Sequence, residues 1–382
     1  MGFAVYLSLC VILDPPLVLS LRRVERDVFL ALPKIDLHAH LHGSIRRSTL
    51  KELLGRDEEL PSCSDNLNGC FQIFSLIHAA VSSIDMIERI TKEVFEDFMT
   101  DGVIYVELRS TPRPLRDGTT KIQYLEKLVS LAEEFNSKNQ DLIVRLIVSV
   151  DRGSSIHEAE DTLEIVKSLR SSTNTIVGID FSGNPITGGN FSSFIGVMQS
   201  ARDFGLMITI HTAEVPEDEH IVEDDSDISA VLNFRPDRIG HMLFLKDYHY
   251  KKLFDYQRST RGAIPLEIAP TSNYFSLGLE AYENHPTLGT WIEKSYPFCI
   301  STDDTGVFQT TLSEEYRHIH DAYNLSAHEV ANFSQRCLEH IFDPSPILKK
   351  RLDAMTLYKS RFWYSIFQSN IQDYSSRQEG EL

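Results

Sequence analysis

The 382-residue chain contains no CxxC pair and only five cysteines, Cys10, Cys63, Cys70, Cys299 and Cys337. That number and spacing exclude a disulfide scaffold and read as reduced thiols of a cytoplasmic protein, although Cys63 and Cys70 stand close enough to pair. No apolar run reaches the roughly 20 residues that span a bilayer, so no membrane partner is expected. The run Phe3–Leu13 has no basic segment ahead of it, and Asp14-Pro15-Pro16 follows where a signal peptide would carry small residues. It reads as a packing segment or a start-site effect, not an export signal. Positive charge is in deficit: 37 Lys plus Arg against 55 Asp plus Glu leave −18 at pH 7. Such a balance excludes a long nucleic acid as partner, yet a local cluster of His and Arg can still hold one small phosphate-bearing ligand. Internal repeats and low-complexity linkers are also missing.

What is present is an ordinary globular composition, 42% apolar and 24% charged, with ample material for a core. Short β-rich runs alternate with helix-length amphipathic stretches. The runs are Lys34–His38, Val103–Leu108, Leu142–Val150, Ile176–Phe181, Met207–His211, Arg238–Met242, Ile264–Ile268 and Phe298–Ser301. Lys121–Asn136, His157–Leu169 and Phe191–Phe204 are among the helical stretches between them, and the long first connection, Ser44–Asp101, has room for several helices. Strands separated by helices pair in parallel, and eight such units close a (β/α)₈ TIM barrel. The pattern predicts one barrel domain over 32–368, with a lead-in over 1–31, further helices from Gln309 onward and a polar tail over 369–382. A monomer is expected.

The ends of these runs carry the chemistry. In this fold the active site forms at the C-terminal ends of the strands. His38 and His40 close the first run, Glu107 to Arg113 the second and Asp151-Arg152 the third; Asp180 to Gly183 follow in the fourth. His211 to Glu214 end the fifth, His241 the sixth, Pro270 to Asn273 the seventh and Asp303-Asp304 the eighth. Two histidines two apart in an extended segment point to the same face. With His211 and Asp303 they give three nitrogens and one carboxylate, a donor set suited to Zn²⁺ with an open position for water or substrate. A lone His is more often a surface or core residue, and His157, His220, His249, His318, His320, His328 and His340 are read as solvated.

LPKIDLHAHLHGS (32–44), GIDFSGNP (178–185), HTAE (211–214), RIGH (238–241) and STDD (301–304) resemble the motifs of the adenosine deaminase family, over about Leu32 to Phe367. RSTPR (109–113) is similar to the adenosine-deaminase-like branch, which hydrolyses N6-methyl-AMP to IMP and methylamine. The cytidine-type zinc deaminases differ, since they need a PCxxC segment that this chain lacks. The resemblance implies one Zn²⁺ per chain on His38, His40, His211 and Asp303, where it supplies hydroxide at neutral pH. It implies Glu214 as proton donor to ring N1, His241 as the residue that orients the hydroxide, and Asp304 as partner of purine N7. His40 and Gly183 join the substrate contacts, Gly183 through its backbone N–H.

Three positions depart from the family pattern. His42 stands where adenosine deaminases carry an Asp for the ribose 5′-hydroxyl, and a His can donate to a 5′-phosphate where an Asp would repel it. Met242 and Ala213 stand where Gly is common. Phe71, Phe74 and His78 share one face of a helix in the first connection, a segment that forms a lid in this family. His78 and Ser110, Thr111, Pro112 and Arg113 are therefore expected to meet a phosphate, while Asp151 is read as a ribose contact or a salt-bridge partner. The ligand expected is a small purine nucleotide. A deaminase of the free nucleoside, and an inactive metal-binding member, are the alternatives.

Overall fold

Lys34–His40 (β1) is the first strand, buried along nearly its whole length. Asp36, His38 and His40 face the barrel interior, whereas Ile35 and Leu37 enter an apolar cluster with Leu338, Ile341 and Leu352 near the C-terminal end of the chain. The computed structural model describes residues 28–55, 60, 61, 63, 67–216, 223–357, 360 and 363. The apolar run 3–13 and the tail 369–382 lie outside them. Seven more strands follow, Val103–Ser110 (β2), Ile143–Asp151 (β3), Ile176–Ser182 (β4), Met207–Thr212 (β5), Arg238–His241 (β6), Leu266–Ile268 (β7) and Phe298–Ile300 (β8). Each pairs in parallel with the next in the order β1 to β8. A single bridge between Ala39 and Asp303 joins the last strand to the first, giving the eight-stranded (β/α)₈ barrel expected.

Helices cover the outside. Among the described residues the first connection holds Arg47–Leu54, Leu67–Ala80 and Ile84–Thr100. Ser155 begins Ile156–Arg170 with a capping box: its hydroxyl accepts from Glu158 N–H, and the Glu158 carboxylate accepts from Ser155 N–H. That arrangement satisfies two orphan donors of the first turn. Helices Leu312–Tyr323 and Ala327–Arg336 and a helical stretch over 346–357 continue beyond β8. No helix among the described residues is long and apolar enough to cross a membrane.

The barrel interior departs from the branched aliphatic filling usual for the fold. Arg238 bonds Glu107 and Glu267, each at 2.6 Å, and Arg109 bonds Glu267 and, at 3.3 Å, Asp180. All five side chains are essentially without solvent exposure. Glu107 and Arg109, read as following the second strand, lie within it, because parallel pairing with β3 continues to Ser110. Buried pairs of this kind add little net stability, but removing one partner strands the other charge and costs about 3–5 kcal/mol.

The cysteines also correct an expectation. Cys63 and Cys70, read as free thiols, form a disulfide across the entry to helix Leu67–Ala80, with their Cα atoms 4.8 Å apart. The turn into the helix brings the two Cα atoms within bridging range. Cys299 and Cys337 are free and buried, and Cys10 lies outside the described residues.

Candidate active site

The strand ends open into a cavity of about 450 Å³. His40, His42, His78, Ser110, Thr111, Arg113, Asp151, Gly183, His211, Glu214, His241, Asp303 and Asp304 all line it. His38 lies just below, fully buried. Pro112 is buried and does not reach the cavity wall, so its part is to shape the backbone between Thr111 and Arg113. Of the apolar lid face, Phe74 lines the cavity beside His78, and the Phe71 side chain lies outside the described residues.

At the floor, Nε2 of His40 lies 3.2 Å from Nε2 of His38 and 3.1 Å from Nε2 of His211. Oδ1 of Asp303 is 3.3 Å from the His38 nitrogen and 3.4 Å from that of His40. Four ligands at about 2.0–2.1 Å around a tetrahedral ion stand roughly 3.3 Å apart. The donor set therefore fits such an ion in spacing as well as in chemistry. His241 also offers a nitrogen, since His38, His211, His241 and Asp303 have ligand atoms within 4.8 Å of one another. His40 Nε2 stands within 3.4 Å of a ligand atom of each of His38, His211 and Asp303.

The ligands are held from behind. His38 Nδ1 meets Glu267 Oε2 at 2.9 Å, and His211 Nδ1 meets Asp180 Oδ1 at 3.0 Å. Each ring therefore donates from Nδ1 to a carboxylate and turns Nε2 to the cavity. Burial raises the Glu267 carboxyl, but the guanidinium groups of Arg109 and Arg238 outweigh it and keep the group well below the ordinary range. For Asp180 the same burial is overcome by His211 and Arg109. Ser272 donates to Asp303 Oδ2 at 2.7 Å and sets the angle of that carboxylate. Glu267 was not singled out from the sequence, and Ser272 was read only as part of the polar cluster that ends the seventh run. A charged residue inside a short β-rich run, as in LEI and VEL, was the signal available for the interior carboxylates.

Local backbone strain marks the same ground. Ala213, His241, Met242 and Asp303 have φ of 55, 68, 54 and 61°, in the left-handed region. Non-glycine residues there cost free energy that surrounding contacts must offset. Two of the four are positions where the family commonly carries Gly. Glu223 accepts the Ala213 N–H at 2.8 Å and so helps to hold the turn that presents Glu214.

Glu214 Oε1 lies 3.9 Å from His241 Nε2. Asp304 carries a buried Oδ1 with no hydrogen-bond partner. Burial, then the charges of Asp303 and Glu214, push its carboxyl well above the ordinary range. It fits only because residue 43 is Gly: a Cβ there would lie 1.5 Å from Asp304 Oδ1. Gly183, at φ 106°, is similarly required, since a Cβ would lie 2.5 Å from Asp151 Oδ1. That oxygen accepts the Gly153 N–H at 2.7 Å.

At the other end of the cavity Arg113 brings a positive charge beside two imidazoles. Arg113 Nη2 stands 3.5 Å from His42 Nε2, and the His42 and His78 rings meet edge-on with centroids 5.6 Å apart. Burial, then Arg113 and His78, hold the His42 pKa well below its usual value. Tyr124, missed from the sequence because it sits in the apolar stripe of helix Lys121–Lys138, stacks along His42 and shares a 2.6 Å hydrogen bond with Ser110. Among the described residues no carboxylate pairs with Arg113.

Several histidines correct their reading. His249 is buried because its Nδ1 accepts the Lys246 N–H at the start of helix Asp247–Gln257. His318 is half-buried against the Tyr282 ring, His320 against Phe29, and His340 is half-buried under the barrel. His157 and His328 are exposed as expected, and His220 lies outside the described residues.

Comparison with known proteins agrees with this geometry. The adenosine deaminase family profile matches residues 33–356. The N6-methyl-AMP deaminase of Mus musculus is 36% identical over 330 residues, covering 83% of this chain and 89% of that protein. The apo structure of the N6-methyl-AMP deaminase from Arabidopsis thaliana superposes with a TM-score of 0.76 at 33% identity, over 87% of this chain and 98% of the other. The Arabidopsis ADAL protein in complex with IMP gives a TM-score of 0.78 at 32% identity, over 87% and 98%.

Proposed function

The chain belongs to the adenosine deaminase family, and we propose that it removes the 6-alkylamino group of a purine nucleotide by hydrolysis, converting N6-methyl-AMP to IMP and methylamine. One observation carries nucleotide over nucleoside. His42, His78 and Arg113 converge at one end of the cavity with no carboxylate to balance Arg113 among the described residues, which suits a 5′-phosphate. The names of the relatives, and the IMP complex of one of them, point the same way.

In this reading His38, His40, His211 and Asp303 would hold one Zn²⁺, which would make a water acidic enough to ionise near neutral pH. Glu214 delivers a proton to ring N1 and makes C6 electrophilic. His241 orients the attacking oxygen. The buried Oδ1 of Asp304 meets N7, and the Gly183 N–H meets the ring. Ser110, Thr111 and Arg113 hold the phosphate with His42 and His78, Asp151 takes the ribose, and His40 borders the substrate. The C6–N bond then breaks: the proton of the new C6 hydroxyl passes to the nitrogen, which leaves as methylamine, and C6 keeps a carbonyl oxygen. We further assign one deaminase domain to 32–368, between a lead-in over 1–31 and a tail over 369–382, acting as a cytoplasmic monomer. In that reducing compartment the Cys63–Cys70 bridge would be open.

Turnover of N6-methyl-AMP, AMP, N6-methyladenosine and adenosine by the zinc-loaded protein tests the reading. N6-methyl-AMP should be the best substrate by kcat/KM. Preference for a free nucleoside would make the chain an adenosine deaminase proper.

A further inference from the structure

Behind His241 runs a chain of hydrogen bonds whose directions are fixed from its far end. The N–H groups of Leu288 and Thr287 point at Nδ1 of His285, at 3.0 and 3.3 Å. Backbone N–H groups only donate, so this nitrogen is an acceptor and the His285 proton sits on Nε2. Burial agrees, holding the His285 pKa down to about 4. The protonated Nε2 is 3.0 Å from Asn273 Oδ1, so Asn273 must accept there. Its amide is thereby oriented, and its NH₂ is turned to Nδ1 of His241 at 3.3 Å. An amide NH₂ only donates, so His241 Nδ1 accepts. Asn273 and His241 are almost fully buried and His285 is nearly so, which leaves no room for water to reverse the sequence.

We infer that Asn273 and His285 are positioning residues that fix His241 as an Nε2–H donor facing the reacting water, so that His241 orients the attacking oxygen and does not take up its proton. The inference rests on the deaminase reading above. The cavity-facing nitrogen already carries a proton, and the other faces a donor, so the ring has no free acceptor. The proton lost by the water goes to the Glu214 carboxylate, whose Oε1 lies 3.9 Å from His241 Nε2, and from there to N1. The oxygen bonds to C6, and no proton has to return from the imidazole. Donors fixed in advance toward a developing charge are among the largest contributors to catalysis.

The test is nitrogen NMR of the zinc-loaded full chain labelled with ¹⁵N-histidine, with the His241 signals identified by their loss in His241→Gln. One protonated Nε2 and one bare Nδ1 are expected. In Asn273→Leu the two nitrogens should move toward a mixture of tautomers, with kcat for N6-methyl-AMP falling roughly tenfold, KM little changed and zinc content intact. His285→Phe, which leaves Asn273 in place but frees its amide to rotate, should move both readouts in the same direction by less. A protonated Nδ1 in the wild type, or an unchanged His241 pattern in folded Asn273→Leu or His285→Phe, overturns the inference. The NMR readout needs no turnover. A protein with the expected tautomer that fails to deaminate any purine would therefore refute the deaminase reading and leave the hydrogen-bond chain standing.

Discussion

The backbone N–H of His40 donates to the carbonyl of Asp303 at 2.8 Å, and the Asp303 N–H returns the bond to His38 at 2.8 Å. These two bonds join the last strand to the first, so the closure of the barrel and the convergence of three candidate ligands are one piece of backbone. A metal that binds only the folded chain stabilises it by mass action. Here it would also clamp the single-bridge seam between β8 and β1. Stripping the metal with a chelator should lower the thermal midpoint by several degrees, and zinc should restore it. An unchanged midpoint in protein shown by elemental analysis to be metal-free would separate the ligands from the seam.

Glu214→Gln isolates the proton donor. Gln matches Glu in shape but has no proton to give N1, and general acid catalysis is worth roughly 10²–10⁴-fold. Zinc content and KM for N6-methyl-AMP should hold while kcat falls by that range. A kcat close to wild type would move the role to another group, of which Asp304 is the nearest in kind.

Ala213 and Met242 explain a pattern that the sequence raised without resolving. Both adopt positive φ, and the family commonly places Gly at these positions. Ala213→Gly removes one methyl group and the strain at a φ of 55°. We expect stability equal to wild type or higher by up to about 1 kcal/mol in urea unfolding. A loss of more than about 1 kcal/mol would mean that the buried methyl matters more than the backbone.

The barrel was legible because each strand ends in a change from apolar to polar residues, as in IDLHAH and ITIHTAE. The candidate ligands stood out because His and Asp gather at three strand ends, those of β1, β5 and β8, in types that suit one ion. What the sequence concealed lies one layer back. Glu267 reaches His38 past the intervening strand β8, and Ser272 reaches Asp303 from the neighbouring strand end; pairings at such separations leave no periodic trace. His285 sits in an irregular segment where nothing local marks it as a partner of Asn273. The half-buried His318 and His340 were misjudged for a related reason: a helical stretch read alone does not say which face the barrel covers.

His340 gives a pH test. Burial, with Arg238, Arg336 and Lys349 nearby, pushes its pKa from 6.5 down to about 4. The unfolded chain therefore takes up a proton below 6.5 that the folded protein refuses until about 4. The stability this group contributes is complete above the unfolded pKa and is lost as pH falls through that window. In His340→Gln nothing titrates there. Melting of the two proteins at pH 7, 5.5 and 4.5 (roughly spanning the interval) should show the wild type losing ground to the variant on acidification. A constant difference would mean that His340 titrates as an exposed imidazole.

The choice of substrate rests on the positive end of the cavity. Arg113 and His42 face each other at 3.5 Å with His78 beside them, one guanidinium and two imidazoles that can donate together to an anion. A charge-assisted hydrogen bond contributes about 1.5–3 kcal/mol, so losing one should cost roughly ten- to a hundred-fold. Arg113→Ala and His78→Ala should each raise KM for N6-methyl-AMP by that factor. Turnover of N6-methyladenosine, however slow, should hardly change, because it brings no phosphate. A variant that merely loosens the barrel would harm both substrates alike, which is why the comparison is needed. Parallel losses in both variants would remove the phosphate from the account of specificity and leave the nucleoside as the substrate to examine.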